Sequence, residues 1–200
     1  MKPPAPATRQ KLLDAALGVM LERGYSASSV DDICHHAKLT KGSFFHYFKS
    51  KEDLGKALIE DFCENGRRMF ESFVAPEKDP MTRVRLYIDS AIALSRDPKM
   101  RNGCLLGAFS QECCDTHPRI RCCCEKGFSD WASGLGREIA AANAARAPKA
   151  SFDPEELASH FIAVLEGALL MGKAQGSMKG VAGHLEHYRA YLESLLGGKH

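Results

Sequence analysis

The sequence predicts an all-α protein with two domains. Apolar residues recur at helical spacing in one segment after another, and the alternation typical of strands does not occur in the sequence. Residues that start and stop helices separate these segments. Because 200 residues exceed one small helical module, we expect a three-helix domain over residues 1–60 and a larger helical domain over residues 61–200.

The first predicted helix runs from Thr8, its expected N-cap, to about Arg23, and Gly24 ends it. The Pro/Ala-rich segment Met1–Ala7 before it is expected to be a disordered arm. The apolar stripe of this helix should comprise Leu13, Ala16, Leu17 and Met20.

Two short helices joined by a tight turn follow. Ser29 and Asp32 form a capping-box pattern that starts the second helix. Thr40 can cap a third helix, Lys41–Phe48, which Phe44 and Phe48 would hold against the core. The side chains expected to point outward are Lys41, Ser43, Phe45, His46 and Tyr47. This layout is typical of a helix-turn-helix, whose second helix enters the major groove of DNA.

Two lysines at helix starts favour a nucleic-acid partner. Lys41 follows Thr40, and Lys51 follows Ser50, which caps the fourth helix together with Asp53. A cation at a helix N-terminus opposes the helix dipole by roughly 0.3–1 kcal/mol. A bound phosphate would reverse the sign of this contribution. The alternative is that both lysines are simply solvated.

Composition places the chain among ordinary globular proteins. Hydrophobic residues make up 44% and charged residues 26%, and the net charge is only +2. A DNA-binding surface must therefore come from the arrangement of charges, not from their excess. The sequence has no apolar run as long as a membrane span and no secretory leader pattern, so we expect a cytoplasmic protein without a membrane partner.

The second predicted domain consists of further amphipathic helices. The fourth helix, from Lys51 to before Pro76, carries an apolar face that reaches Phe73. A linker is predicted over residues 147–152. The later predicted helices are Met81–Arg96, a helix of about ten residues that follows Gly103, Pro118–Ala145, a helix that starts at Asp153, and Val181–Leu196. The last two are apolar over a wide arc, which predicts a homodimer interface. A monomer with a thick core is the alternative.

The eight cysteines do not form a metal-ligand pattern. Three adjacent cysteines, residues 122–124, point about 100° apart on a helix, and Cys113 with His117 supplies only two ligands. We therefore expect no metal and no cofactor. Most of these thiols should be small core residues.

The stretch TKGSFFHYFKSKEDL resembles the recognition-helix signature of the TetR family of bacterial transcriptional regulators. The resemblance covers roughly residues 9–60 and implies a non-enzymatic, homodimeric regulator, most often a repressor, that binds palindromic operator DNA. Two departures are Lys38, where the family usually has Gly, and Phe45, where Tyr is frequent. The DNA contacts that the resemblance implies are Thr40, Lys41, Gly42, Ser43, Phe45, His46, Tyr47 and Lys51.

A weaker resemblance concerns an effector site. The run GCLLGAFSQE is similar to a TetR subgroup that responds to electrophiles or small unsaturated carboxylates, which implies that Cys104 is a reactive sensor. A thiol near a helix N-terminus gains thiolate character, although an inert core thiol is the alternative. Phe128, Trp131 and Met171 are candidate walls of a cavity for a small-molecule effector, or else core residues.

Two other functions fit parts of the sequence. A cysteine-rich helical thiol oxidoreductase would explain the cysteine density but not the helix-turn-helix. A ligand-binding protein with a degenerate DNA domain would explain the departures at Lys38 and Phe45.

Overall fold

A computed structural model describes residues 5–145 and 151–197, without the side chains of Ala5, Pro6 and Lys99. This part of the chain is helical and contains no strand, which confirms the predicted all-α fold class. Two short 3-10 turns, Pro98–Asn102 and Met178–Gly180, accompany the α-helices. The α-helices are α1 Ala5–Arg23, α2 Val30–Ala37, α3 Lys41–Tyr47, α4 Lys51–Val74, α5 Pro80–Ser95, α6 Leu105–Cys113, α7 Pro118–Ala144, α8 Pro154–Ala174 and α9 Val181–Leu195.

The described residues form two compact units, and the first is discontinuous in sequence. The first unit combines the chain up to Glu64 with residues Cys104–Gly127, and the second combines Asn65–Gly103 with the chain from Phe128 onward. Helix α6 and the start of α7 thus pack with the helix-turn-helix, whereas the division at residue 60 assigns them to the second domain. Helices α4 and α7 each continue from one unit into the other.

The first unit is built on α1, but this helix starts earlier than predicted. It begins at Ala5, so Thr8 lies inside the helix with 4% of its surface exposed and is not the N-cap. Residues 1–4 of the predicted disordered arm lie outside the described residues. Leu17, which was predicted in the buried stripe, is only half-buried. The buried stripe instead consists of Leu12, Leu13, Ala16, Val19 and Met20.

The core of the second unit lies among α5, α8 and α9. Phe161 is fully buried there, and Tyr188 donates a hydrogen bond of 2.7 Å to the carbonyl of Leu157. Among the described residues, helix α8 is long and apolar enough to cross a membrane by length and composition alone, and 44% of its most apolar window is buried inside the protein. Phe73, predicted on the inner face of α4, is 47% exposed. Residues 147–150 of the predicted linker lie outside the described residues.

Candidate nucleic-acid interface

The helix-turn-helix begins with the predicted capping box. The Ser29 side chain accepts the amide N–H of Asp32 at 3.1 Å, and the Asp32 carboxylate accepts the Ser29 amide at 2.9 Å. The Ser29 hydroxyl also donates to the Asp32 carboxylate, and this hydrogen bond, followed by the one from the Ser29 amide, lowers the pKa of Asp32. Helix α2 ends at Lys38, which adopts a left-handed backbone with φ of 54°. A residue with a Cβ is mildly strained there, which explains why Gly suits this turn better.

Helix α3 is held to the core by one face, and its other face is open to solvent. The Thr40 side chain accepts the Ser43 amide at 3.1 Å and so caps the helix. Phe44 and Phe48 are buried, with 0% and 3% of their surface exposed. The outward residues include Phe45, which is 56% exposed. Lys41, Gly42 and His46 are also exposed, whereas Ser43 and Tyr47 are half-buried.

Lys41 is paired within the chain. Its ammonium lies 2.8 Å from a carboxylate oxygen of Asp31, at the start of α2, and both side chains are exposed. The hydrogen bond and the charge of Asp31 raise the pKa of Lys41. A phosphate that binds Lys41 must therefore compete with a carboxylate that the sequence pattern did not reveal.

Lys51, a predicted DNA contact, is hydrogen-bonded through its ammonium within the chain. Its ammonium donates hydrogen bonds of 3.0 Å to the carbonyl oxygens of Tyr25 and Ser28, and it lies 4.4 Å from the centre of the Tyr25 ring. These two main-chain oxygens offset the unfavourable interaction of the ammonium with the helix dipole. We therefore assign Lys51 to the support of the loop between α1 and α2.

Glu112 of α6 holds the same loop, and nothing in the sequence pattern indicates this role. Its carboxylate accepts the amide N–H groups of Tyr25 at 2.6 Å and Ser26 at 2.7 Å. Partial burial opposes the charged form, but these hydrogen bonds and the charge of Lys51 outweigh it and lower the pKa of Glu112. Gly24, with φ of 90°, leaves the space that this carboxylate fills.

The Tyr25 ring completes the contact between α6 and the helix-turn-helix. It packs edge-on against Phe109 at 5.5 Å and against the His117 ring at 5.1 Å. Burial, and then the charges of nearby acidic groups, raise the pKa of Tyr25 to about 12. The phenol is therefore neutral, and α6 joins the DNA-binding helices through both polar and aromatic contacts.

The four candidate effector residues belong to different units of the chain. Cys104 is the N-cap of α6 in the first unit and is 6% exposed. Phe128 and Trp131 are half-buried in the second unit, where the Trp131 indole donates a hydrogen bond of 2.6 Å to the Tyr87 hydroxyl. Met171 is 49% exposed, so it cannot line an interior cavity of this unit as predicted.

The second unit has an open groove of about 300 Å³ elsewhere. Its floor is apolar and two carboxylates lie among its lining residues. None of the predicted wall residues contributes to it. The lining residues are Phe73, Leu86, Asp89, Ser90, Ala93, Leu94 and Asp97. No group of three His, Cys, Asp or Glu side chains suited to a metal ion was found among the described residues.

A capped helix-turn-helix with an open second helix, joined to a larger helical part, defines a DNA-binding transcriptional regulator. Family comparisons agree with this class. Residues 12–58 match the model of the bacterial regulatory proteins of the tetR family. Residues 80–190 match the tetracyclin repressor-like C-terminal domain. The chain belongs to the TetR family.

Relatives of known function are similar over most of the chain. The transcriptional regulator AcuR of Cereibacter sphaeroides is 33% identical over 174 residues, which cover 86% of this chain and 80% of that protein. The repressor DhaR of a Mycobacterium species is 31% identical over 84% of this chain and 83% of its own. The crystal structure of a TetR regulatory protein from Rhodobacter sphaeroides has a TM-score of 0.80 and 29% identity, covering 91% of this chain and 97% of its own.

The family matches and these relatives confirm the predicted TetR family and class of function, whereas the resemblance of GCLLGAFSQE to a subgroup stays a prediction. The chain is a DNA-binding regulator with a ligand-responsive domain, and the comparisons do not favour the oxidoreductase or the degenerate DNA domain. The reduced form of NemR from Escherichia coli, with a TM-score of 0.81 at 24% identity, shares the fold.

Proposed function

We propose that this protein is a cytoplasmic, homodimeric repressor that binds palindromic operator DNA and releases it on a small-molecule or electrophile signal. The observation that carries the proposal is α3, whose buried Phe44 and Phe48 fix a helix with an exposed outer surface. The proposed DNA contacts are Thr40, Lys41, Gly42, Ser43, Phe45, His46 and Tyr47, without Lys51. Paired α3 helices would reach half-sites about 34 Å apart, or a multiple of this distance.

Gly42 supports a close approach to DNA. It lies in the first turn of α3, and a Cβ at this position would meet only the Thr40 hydroxyl, at 3.7 Å. Neither packing nor φ within the protein requires glycine here. The absence of a side chain would instead let the backbone N–H groups approach a phosphate.

The dimer would form through α8 and α9. Leu170 and Met171 are 51% and 49% exposed on α8, and Tyr191 is 45% exposed on α9. Gly167 is exposed on the same face of α8 as Met171 and permits close approach of another helix. Two copies of this surface would form a four-helix interface that buries these apolar groups.

The effector would act through the second unit or through Cys104. Trp131 and Phe128 remain candidate contacts for a small apolar molecule, and Cys104 is a candidate sensor because it lies at the N-cap of α6. Helices α4 and α7 run from one unit into the other and would carry the change to α3. A coupling of about 1–3 kcal/mol is sufficient to alter operator occupancy.

The experiment that tests the proposal is selection of DNA fragments from the protein's own genomic neighbourhood, followed by affinity measurements over a salt series. We expect a palindromic site and a steep loss of affinity with salt, because phosphate contacts release counterions. Lys41→Ala should reduce the slope of log K against log salt by about one unit, since each contact contributes about 0.9. Lys179→Ala, an exposed lysine of the second unit, is the control. A salt-insensitive, non-palindromic interaction would contradict the proposal.

A further inference from the structure

An arginine of α1 lies beside the C-terminal end of α3. The Arg9 guanidinium carbon is 5.5 Å from the centre of the Phe48 ring, and Phe48 is the C-cap residue of α3. Phe48 is 3% exposed, whereas Arg9 itself is exposed. Arg9 thus covers the ring from one side and keeps its charge accessible to solvent, as long basic side chains do at apolar surfaces.

A second cation follows Phe48 directly in the chain. The Lys49 side chain is exposed, and its main chain is held because its amide N–H donates to the Asp53 carboxylate at 3.2 Å. Among the described residues, neither Arg9 nor Lys49 forms an ion pair through its side chain. At the other end of α3, by contrast, Lys41 is paired with a carboxylate. The charges of Arg9 and Lys49 are therefore available to an anion in solvent.

We propose that Arg9 and Lys49 bind phosphates of the DNA backbone at the C-terminal end of α3. This site rests on the proposed function and adds two contacts to those proposed for α3 itself. The seven residues of α3 extend over about 10 Å, and the major groove is about 12 Å wide. A helix of this length in the groove brings its two ends near the backbones on either side. Lys41 lies at one end, and Arg9 and Lys49 lie at the other.

The two side chains suit a phosphate for different reasons. A guanidinium group presents a planar set of donors that matches two phosphate oxygens, and the contact with the Phe48 ring limits the orientations of the Arg9 head. Lys49 supplies a point charge without a fixed donor geometry. Contacts to the backbone carry no base information, so both residues should strengthen binding to every DNA sequence alike.

The test measures binding to two labelled duplexes, the selected operator and a duplex of random sequence, by fluorescence anisotropy over a salt series. Arg9→Met keeps an unbranched side chain over Phe48 but removes the charge. We expect it to weaken binding to both duplexes about five- to tenfold at about 0.1 M salt, and to reduce the slope of log K against log salt by about 0.9. Arg9→Lys, which restores a charge, should recover the slope. Lys49→Ala should show its own loss of about 0.9.

Lys11→Ala is the matched control. Lys11 is exposed on the same helix as Arg9, but residues two positions apart do not share a helix face. A wild-type slope for Arg9→Met would overturn the site, and so would an equal loss of slope for Lys11→Ala. Lower affinity of Arg9→Met at an unchanged slope also contradicts the site, because Arg9 would then act only by packing on Phe48. If Arg9→Met fails to fold, the exposed variant Lys49→Ala decides, and an unchanged slope rejects the site.

Failure of the proposed function has a different outcome. Wild-type protein that binds neither duplex with a salt-dependent affinity contradicts the repressor proposal as a whole. Wild-type protein that binds the operator with a steep salt dependence, together with unchanged slopes for the Arg9 and Lys49 variants, contradicts only the phosphate site.

Discussion

At the scale of single residues, Lys41 on the exposed surface of α3 forms an ion pair with Asp31, which belongs to α2. Lys41 is held by Asp31 at 2.8 Å, although both side chains are exposed. An exposed ion pair contributes little to stability, about 0–1 kcal/mol. Its consequence for the proposed DNA contact is larger, because a phosphate that binds Lys41 would have to compete with the Asp31 carboxylate.

Removal of the competing carboxylate should strengthen DNA binding. Asp31→Asn leaves Lys41 in place but removes the negative charge, so we expect affinity for DNA to rise about three- to tenfold at low salt. Lys41→Ala should lower it, since it removes the cation and leaves Asp31 unpaired. Fluorescence anisotropy with the selected operator measures both. Equal affinities for the two variants would show that this pair lies outside the interface.

A substitution at Gly42 should change stability and DNA affinity in opposite directions. Gly42→Ala should raise the free energy of unfolding by about 0.5–1 kcal/mol, since alanine loses less entropy in a helix. The same methyl group should weaken DNA binding if the backbone approaches a phosphate. Gly66→Ala is the matched control, because Gly66 is a helical glycine outside the helix-turn-helix and a Cβ there meets nothing within 4 Å. Undiminished DNA affinity of Gly42→Ala would remove Gly42 from the proposed contacts.

At the scale of elements, α6 positions the loop between α1 and α2. The Glu112 carboxylate accepts two main-chain N–H groups, and Tyr25 packs on Phe109. A change at α6 therefore reaches the start of the helix-turn-helix by direct contact. The first unit is thus a more integrated structure than an isolated three-helix domain.

Acidic pH should weaken the contact between α6 and the loop after α1, because protonation removes the charge of Glu112. Its pKa is lowered from the usual 4.5, so its stabilisation is present above that value and is lost as pH falls through the folded pKa. We expect the difference in unfolding free energy between wild type and Glu112→Gln to shrink from about pH 6 to about pH 3. Chemical denaturation at each pH measures it. Glu125→Gln, at an exposed position of α7, should show no such trend.

At the scale of the whole molecule, the remaining apolar surface concerns assembly. Leu170, Met171 and Tyr191 are exposed on the last two helices, although α8 also supplies the core residue Phe161. Helix α8 thus has two apolar sides, and the described residues cover only one of them. A second copy would cover the other.

Charges on this surface should separate the dimer. Leu170→Glu with Met171→Glu places two carboxylates on each copy, and we expect the dimer dissociation constant to rise at least about a hundredfold. Analytical ultracentrifugation measures the constant, and operator affinity should fall with it. Leu86→Glu, an exposed leucine of α5 at 37% exposure, is the control. A dimer that persists in the double variant would place the interface elsewhere.

Much of the helix-turn-helix could be predicted from sequence because its signals are local. The Ser29 capping box, the Thr40 cap and the inward Phe44 all depend on residues a few positions apart. The start of α1 was predicted too late, because Thr8 suits an N-cap but is buried inside the helix. The surroundings of the candidate effector residues were harder to predict from sequence, because helical periodicity does not distinguish a cavity wall from a core position or an exposed face.

The sequence by itself therefore determined the all-α class, the order of the helices and the family, since short-range spacing and caps encode them. Only the tertiary structure decided which charged side chains are bound to other groups of the same chain. It paired Lys41 with Asp31, turned Lys51 onto the carbonyls of Tyr25 and Ser28, and brought Glu112 to a loop 86 residues earlier in the chain. Such contacts depend on how helices pack in space, and no local pattern records them.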